Sequence, residues 1–219
     1  MLTPSSDTET RLLSDLTQVN HNVSYDDRQR RYGHSGAVIW LTGLSASGKS
    51  TLAMGLEAHL LAQGYACYTL DGDNIRHGLN ANLGFSPTDR AENIRRVGEV
   101  AALFADAGLV CITSFISPYR HHRLLARQAA QQTSFHEIYV AADLQTCETR
   151  DPKGLYRKSR EGTLSNFTGV NAPYEEPLSP DLVLHTNTES VEQSLERLLR
   201  YVKNAVPLIS PKVRSQEST

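Results

Sequence analysis

The sequence predicts an α/β fold, a parallel β-sheet with helices on both faces. Short apolar runs alternate along the chain with segments of helical period, and glycines follow where the helices should stop. One glycine-rich turn joins the first run to the first helix. The run Val38-Ile39-Trp40-Leu41, bounded by Gly36 and Gly43, reads as a strand buried on both faces. After Ser50, apolar Leu52, Leu56 and Leu60 recur every four residues up to Gly64, which is a helix with its stop.

The alternation continues with a strand near 67–70, a helix from about Asn93 to Ala107 closed by Gly108, and a strand over 109–115. A helix over 121–131, a strand over 135–140 and a helix over 144–150 follow. Between Asp151 and Pro180, four prolines and three glycines accompany several basic residues, a stretch too broken for regular structure and longer than an ordinary connection. It reads as a mobile lid. A strand near 182–184 and a helix from about Ser190, with Val191, Leu195, Leu198 and Val202 in register, complete the domain.

Residues 35–206 therefore form the domain. Residues 1–34 read as a polar N-terminal arm outside the core, with at most a short helix, and 207–219 as a flexible tail. At 219 residues the length favours one domain and one site.

Composition removes several classes of function. Lys plus Arg number 22 against 24 Asp plus Glu, a net charge of −2, so no overall basic field draws in nucleic acid and any anion site is local. No apolar run is long enough for a membrane span. Cys67, Cys111 and Cys147 lie far apart, which argues against a disulfide framework and points to the reducing cytoplasm. The N-terminal segment, with Asp7, Glu9 and Asp15, has neither a signal core nor a transit-peptide composition.

The string Gly43-Leu44-Ser45-Ala46-Ser47-Gly48-Lys49-Ser50 matches G-x-x-x-x-G-K-[ST] in the context the motif requires, after a buried strand and opening a helix. The glycines let successive N–H groups turn inward onto phosphate oxygens, and the helix N-terminus adds partial positive charge. Lys49 supplies a full charge for the outer phosphates, and the Ser50 hydroxyl suits Mg2+. The fold is thereby that of a P-loop nucleoside triphosphate hydrolase or kinase, binding ATP or GTP.

The phosphate loop leaves the acceptor open. Asp71-Gly72-Asp73-Asn74-Ile75-Arg76 follows the second strand at the sheet edge where α/β proteins bind ligands. A carboxylate there, with Asp73 the candidate, can hold the water shell of a metal or take the proton of an attacking hydroxyl. Asp71, at the strand end, suits a helix N-cap. Arg90 and Asn93, three apart at a helix start, face one way and suit an anion and a base or sugar. Arg95 and Arg96 fit a solvated face, and adjacent His121 and His122 diverge on a helix and fit the surface. On these residues alone, a kinase for a nucleoside monophosphate or a sugar acid, and a regulator that binds nucleotide without catalysis, stay open.

Taken together, the strings at 71–76, 83–86, 89–96, 114–119 and 153–156 resemble the adenylylsulfate kinase family over roughly residues 20–202. The resemblance implies phosphorylation of the 3′-hydroxyl of adenosine 5′-phosphosulfate by ATP, a Mg2+ requirement, a homodimer and coupling to an ATP sulfurylase. It implies that Thr51 and Arg150 join residues 43–50 around ATP, and that Ser50 and Asp73 hold the metal. Lys49, Asp73, Ser117 and Lys153 are then the catalytic set. Asp73, Asn74, Ile75, Arg76, Arg90, Asn93, Ile116, Ser117, Lys153 and Asn166 contact the acceptor, and Phe85 and Phe167 bracket its adenine. The family casts Ser117 as a phosphoserine intermediate, whereas in-line transfer needs only positioning and charge neutralisation, so its expected task is to hold the nucleotide. The chain departs from the family pattern at Ala141-Ala142-Asp143 and at Ser159-Arg160-Glu161-Gly162.

Overall fold

The computed structural model describes residue 19 and residues 21–209. Helix α1 (Tyr25–Tyr32) leads into strand β1 (Ala37–Thr42), and α2 (Lys49–Ala62) into β2 (Cys67–Asp71). The short α3 (Gly72–Arg76) and the long α4 (Pro87–Asp106) precede β3 (Val110–Ser114). Then come α5 (Arg120–Ala129), β4 (Ser134–Ala141), α6 (Leu144–Arg150) and α7 (Leu155–Arg160). Strand β5 (Leu182–His185) and helix α8 (Val191–Ala205) complete the order.

The five strands form one sheet in the order β2-β3-β1-β4-β5, with every neighbouring pair parallel. Strand β1 is central, and Ala37 to Leu41 are fully buried. Because successive side chains leave a strand on opposite faces, β1 feeds two cores at once. Ile39 and Leu41 pack with Leu52 and Leu56 of α2 and Leu198 and Val202 of α8. Val38 and Trp40 pack on the other face with Ile94, Val97 and Ala101 of α4 and Ala126 of α5. Each buried Val, Leu or Ile among them contributes about 1.5–3 kcal/mol.

Three expectations are corrected. Helix α4 begins at Pro87 rather than near Asn93, because Ser86 is an N-cap whose hydroxyl accepts the Asp89 N–H at 3.1 Å, with Pro87 in the first turn. The stretch 151–180 is not wholly irregular, since α7 lies in it and Tyr156 and Phe167 are buried with Cys147 in a small core of their own. The N-terminal segment contributes to the core. His34 is fully buried, its ring 5.0 Å from Tyr65, with Nε2 accepting the Ala66 N–H at 3.0 Å and Nδ1–H donating to the Ser35 carbonyl. Helix α1 carries a capping box at Ser24, and the Tyr25 hydroxyl donates to the Gly36 carbonyl. At the other end the Ile209 N–H donates to the Gly33 carbonyl at 2.6 Å. The rest of the arm and tail, 1–18, 20 and 210–219, lies outside the described residues. No described helix is long and apolar enough to cross a membrane.

Candidate functional site

The C-terminal ends of β1, β2 and β3 deliver three loops to one edge of the sheet, and the candidate site is built from them. The phosphate loop closes tightly against β4: a Cβ on Gly43 would meet the Val140 carbonyl oxygen at 2.5 Å, so only glycine fits. Gly48 adopts φ +104° as the N-cap of α2, a left-handed conformation that a side chain disfavours. The loop curls on itself through the Ser47 N–H to the Leu44 carbonyl at 3.2 Å. Ala46 holds φ +60°, and its carbonyl accepts from Arg150 at 3.4 Å. Ser45 is tied from above by the Tyr156 hydroxyl, which donates to its carbonyl at 3.0 Å.

Lys49 lies inside this loop, its ammonium donating to the Leu44 carbonyl at 2.6 Å and to the Ser47 hydroxyl at 3.5 Å. Burial pushes its pKa down to about 8, against the smaller favourable fields of Cys147 and Asp71. The charge sits where the outer phosphates of a nucleotide would relieve its desolvation. Ser50 and Thr51 lie in the first turn of α2, both exposed, and the Ser50 hydroxyl donates to Asp71 Oδ2 at 2.7 Å and lies 3.3 Å from the Ser114 hydroxyl.

The carboxylate beside Ser50 is that of Asp71, which also N-caps α3 by accepting the Asp73 N–H at 3.1 Å. Asp73 points outward and pairs with Lys153 across the mouth of the site, both side chains more than half exposed. The sequence favours the N-cap for Asp71 more than for Asp73, and an N-cap and a metal-facing acid look alike in sequence. The remaining oxygen of Asp71 becomes meaningful once β2 and α2 are placed side by side.

The acceptor residues form a second cluster around the loop that follows α3. Arg76 donates to the carbonyls of Leu83 and Gly84 at 3.2 and 3.0 Å, with its guanidinium 4.3 Å over the Phe85 ring. Phe85 is 60 % exposed, which excludes a core role and leaves a flat apolar face at the surface. Arg90 donates to the Phe85 carbonyl at 3.1 Å, to the Thr168 hydroxyl at 2.8 Å and to the Asn166 carbonyl. Asn166, with φ +55°, is thereby drawn to α4. Asn93 is buried, and its Oδ1 accepts from the fully buried Asn80 amide at 3.0 Å. Of the α3 residues, Asn74 is exposed and Ile75 packs against the α4 side of the core.

Two expected roles meet a different environment. Phe167, expected to bracket the adenine with Phe85, is 5 % exposed and packed edge-on against Tyr156 at 4.9 Å. Its broken sequence context gave no sign of the local core that Tyr156 and Cys147 supply. Ser117 was placed in the catalytic set, yet its hydroxyl is turned into the protein, accepting from the Trp40 indole at 3.1 Å and donating to the Thr42 hydroxyl at 3.0 Å. At 2 % exposure it presents no nucleophile to the cleft. Ile116 beside it is half-buried, its carbonyl accepting from Thr42 at 2.8 Å.

Arg96, read as part of a solvated face, instead holds the loop before α4 through the Leu79 carbonyl and Asn82. Arg95 does lie exposed, paired with Glu92. At the departures noted in sequence, Asp143 N-caps α6 and the Ser159 hydroxyl accepts from Asn171 at 3.5 Å. His121 is exposed and His122 packs edge-on to Tyr119. Among the described residues no group of three or more His, Cys, Asp or Glu is placed to hold a metal. A cleft of about 610 Å³ opens between Leu44, Ala142, Leu144 and the segment 169–176. It touches the phosphate loop only at Leu44, and neither Lys49, Ser50 nor Asp73 lines it.

Residues 35–185 match the family model described as adenylylsulphate kinase. An adenylyl-sulfate kinase of Oceanobacillus iheyensis is 54 % identical over 84 % of this chain and 92 % of its own length. One from Geotalea uraniireducens is 55 % identical over 84 % and 88 %. Among solved structures, the Mycobacterium tuberculosis APS kinase in complex with AMPPNP and APS is similar with a TM-score of 0.74 and 46 % identity, covering 78 % of this chain and 98 % of that one.

Proposed function

The chain belongs to the adenylylsulphate kinase family, and from that premise we propose how its site carries out the reaction, transfer of the γ-phosphate of ATP to the 3′-hydroxyl of adenosine 5′-phosphosulfate. The observation that carries the reading is the meeting, at one sheet edge, of a phosphate loop holding a buried Lys49 with a separate cluster of Arg76, Phe85, Arg90 and Asn93. One half suits a triphosphate, the other an anionic nucleotide.

ATP lies along residues 43–51, with Lys49 on the outer phosphates and Arg150, which donates to Thr186 at the end of β5, on the base side. Mg2+ fits the oxygen donors of Ser50 and Asp71, hard ligands suited to that ion, and would neutralise charge on the transferred group. The acceptor nucleotide stacks its adenine on exposed Phe85, a contact worth about 1–3 kcal/mol. Arg76 and Arg90 exchange backbone carbonyls for its phosphate and sulfate oxygens, and Asn74, Ile75, Asn93, Ile116 and Asn166 line it. The buried Phe167 closes the adenine site from behind when the segment 151–180 moves as a lid.

Asp73, released from Lys153, is set to take the proton of the 3′-hydroxyl, while Lys153 moves to the transferring phosphoryl and stabilises its charge. Closure excludes water that would otherwise hydrolyse ATP. Ser117 positions the nucleotide without a covalent step. The enzyme works in the cytoplasm, as its free cysteines suit, beside an ATP sulfurylase that makes its acceptor. It acts as a homodimer, for which the exposed Tyr68 on edge strand β2 and Leu103 on α4 supply apolar surface.

A coupled assay for ADP, run with and without adenosine 5′-phosphosulfate, tests the reaction. ADP release that depends on that acceptor supports the reading. Release only with a nucleoside monophosphate or a sugar acid would refute it.

A further inference from the structure

We infer that Arg123 is a positioning residue for the acceptor nucleotide, holding the strained turn at Ser117 and the returning end of segment 151–180 in one clasp. The inference rests on the acceptor role given above to Ile116 and Ser117. Arg123 lies in the first turns of α5, 2 % exposed, and each arm of its guanidinium reaches a different part of the chain. Nε donates to Glu137 Oε1 on β4 at 2.5 Å, Nη1 to the Ser117 carbonyl at 2.7 Å, and Nη2 to the Glu175 carbonyl at 2.8 Å. The Tyr174 ring lies 5.9 Å from the guanidinium carbon, and its hydroxyl meets that of Thr42 at 3.0 Å.

The turn it holds is costly. Ser117 adopts φ +39°, a conformation a non-glycine residue rarely enters and keeps only where its surroundings over-determine it. Those surroundings are Trp40 and Thr42 on the hydroxyl and Arg123 on the carbonyl. The same two segments are sewn together twice more, by the Glu175 N–H to the Pro118 carbonyl and the Arg120 N–H to the Glu175 carboxylate, each at 2.8 Å. A planar guanidinium can serve three acceptors in fixed directions, which an ammonium cannot. Glu137 compensates the buried charge and sets the plane of the fork. Arg123 touches no reacting atom. It sets the backbone that faces the acceptor and ties that backbone to the segment that must close over it.

Arg123→Lys and Glu137→Gln in the full chain test this. Steady-state kinetics are measured with each substrate varied in turn, alongside thermal midpoints and the fluorescence of Trp40, the single tryptophan. Expected for Arg123→Lys is a rise of at least tenfold in KM for adenosine 5′-phosphosulfate with KM for ATP within about twofold, and a shifted Trp40 emission as its bond to Ser117 loosens. Glu137→Gln should shift the same quantities in the same direction by less. A lower thermal midpoint with both KM values moving together, or unchanged KM values in both variants, would make Arg123 a packing residue and overturn the inference. Wild-type protein is assayed in parallel. If it does not phosphorylate adenosine 5′-phosphosulfate, the functional reading fails, and an unmoved Trp40 emission in the variants then separately overturns the clasp.

Discussion

Lys49 carries its charge almost wholly removed from water, and the protein bears that cost until phosphate arrives. Its pKa in the folded, ligand-free chain, about 8, lies below the value of 10.5 for a free lysine, so in that window the unfolded chain binds more protons than the folded one. Stability of the ligand-free, metal-free protein therefore rises as pH climbs from about 8 to 10.5, and below 8 the cost is present in full. Lys49→Met should raise the unfolding free energy at pH 7 by on the order of 2–3 kcal/mol while abolishing turnover. Urea titrations at several pH values check this, and a gap between variant and wild type that does not shrink above pH 8 would contradict it. The two acids beside it separate by substitution. Asp71→Asn keeps a side-chain oxygen able to cap α3 but loses the carboxylate beside Ser50, so the Mg2+ concentration for half-maximal activity should rise at least tenfold. Asp73→Asn should abolish turnover with ATP affinity, measured by calorimetry, unchanged.

Helix α4 shows what a cap contributes at the scale of an element. Its first turn, supplied by Ser86 and Pro87, carries Arg90, and the turn after it Asn93, so the start of this helix fixes the acceptor side of the site. Ser86→Ala leaves the Asp89 N–H without its partner at 3.1 Å and should cost about 1 kcal/mol, seen as a lower urea midpoint with an unchanged m-value. A periodicity argument placed this start six residues late because residues 87–92 hold no large apolar side chain to mark the helix face. Caps are legible in sequence only when the reader looks for them ahead of the apolar stripe. Helix α7 escaped notice for a related reason: six residues flanked by glycines and prolines give no full period.

Across the whole molecule, the segment before β1 belongs to the fold. His34 fills a site between Tyr32 and Tyr65 and satisfies the Ala66 N–H just before β2. His34→Ala should cost about 3 kcal/mol, from a cavity plus an unpaired buried N–H, read as a fall in thermal midpoint of several degrees. An unchanged midpoint would show the imidazole to be dispensable. The segment 151–180 is held at both ends as well. Tyr156 reaches the phosphate loop, Arg90 grips residues 166 and 168, and Arg123 holds Glu175. In the proposed mechanism, closure exchanges these contacts for contacts with the two nucleotides, which would make substrate binding and lid position one equilibrium.

The sequence alone determined the parallel α/β architecture, the phosphate loop with Lys49 and Ser50, and the family, because these are written in local patterns: the period of apolar residues, the placing of glycines, and short strings in a fixed order. The tertiary structure alone decided that Asp71 rather than Asp73 stands beside Ser50, that Ser117 turns its hydroxyl toward Trp40, that Phe167 is packed, and that Arg123 joins three distant segments. Those are contacts between residues more than 20 positions apart, except for Phe167 on Tyr156 at 11 and the Arg123 reaches of 6 and 14, and no local pattern states which way a side chain turns when two strands and a helix converge. Direction is fixed only by what the folded neighbours leave open.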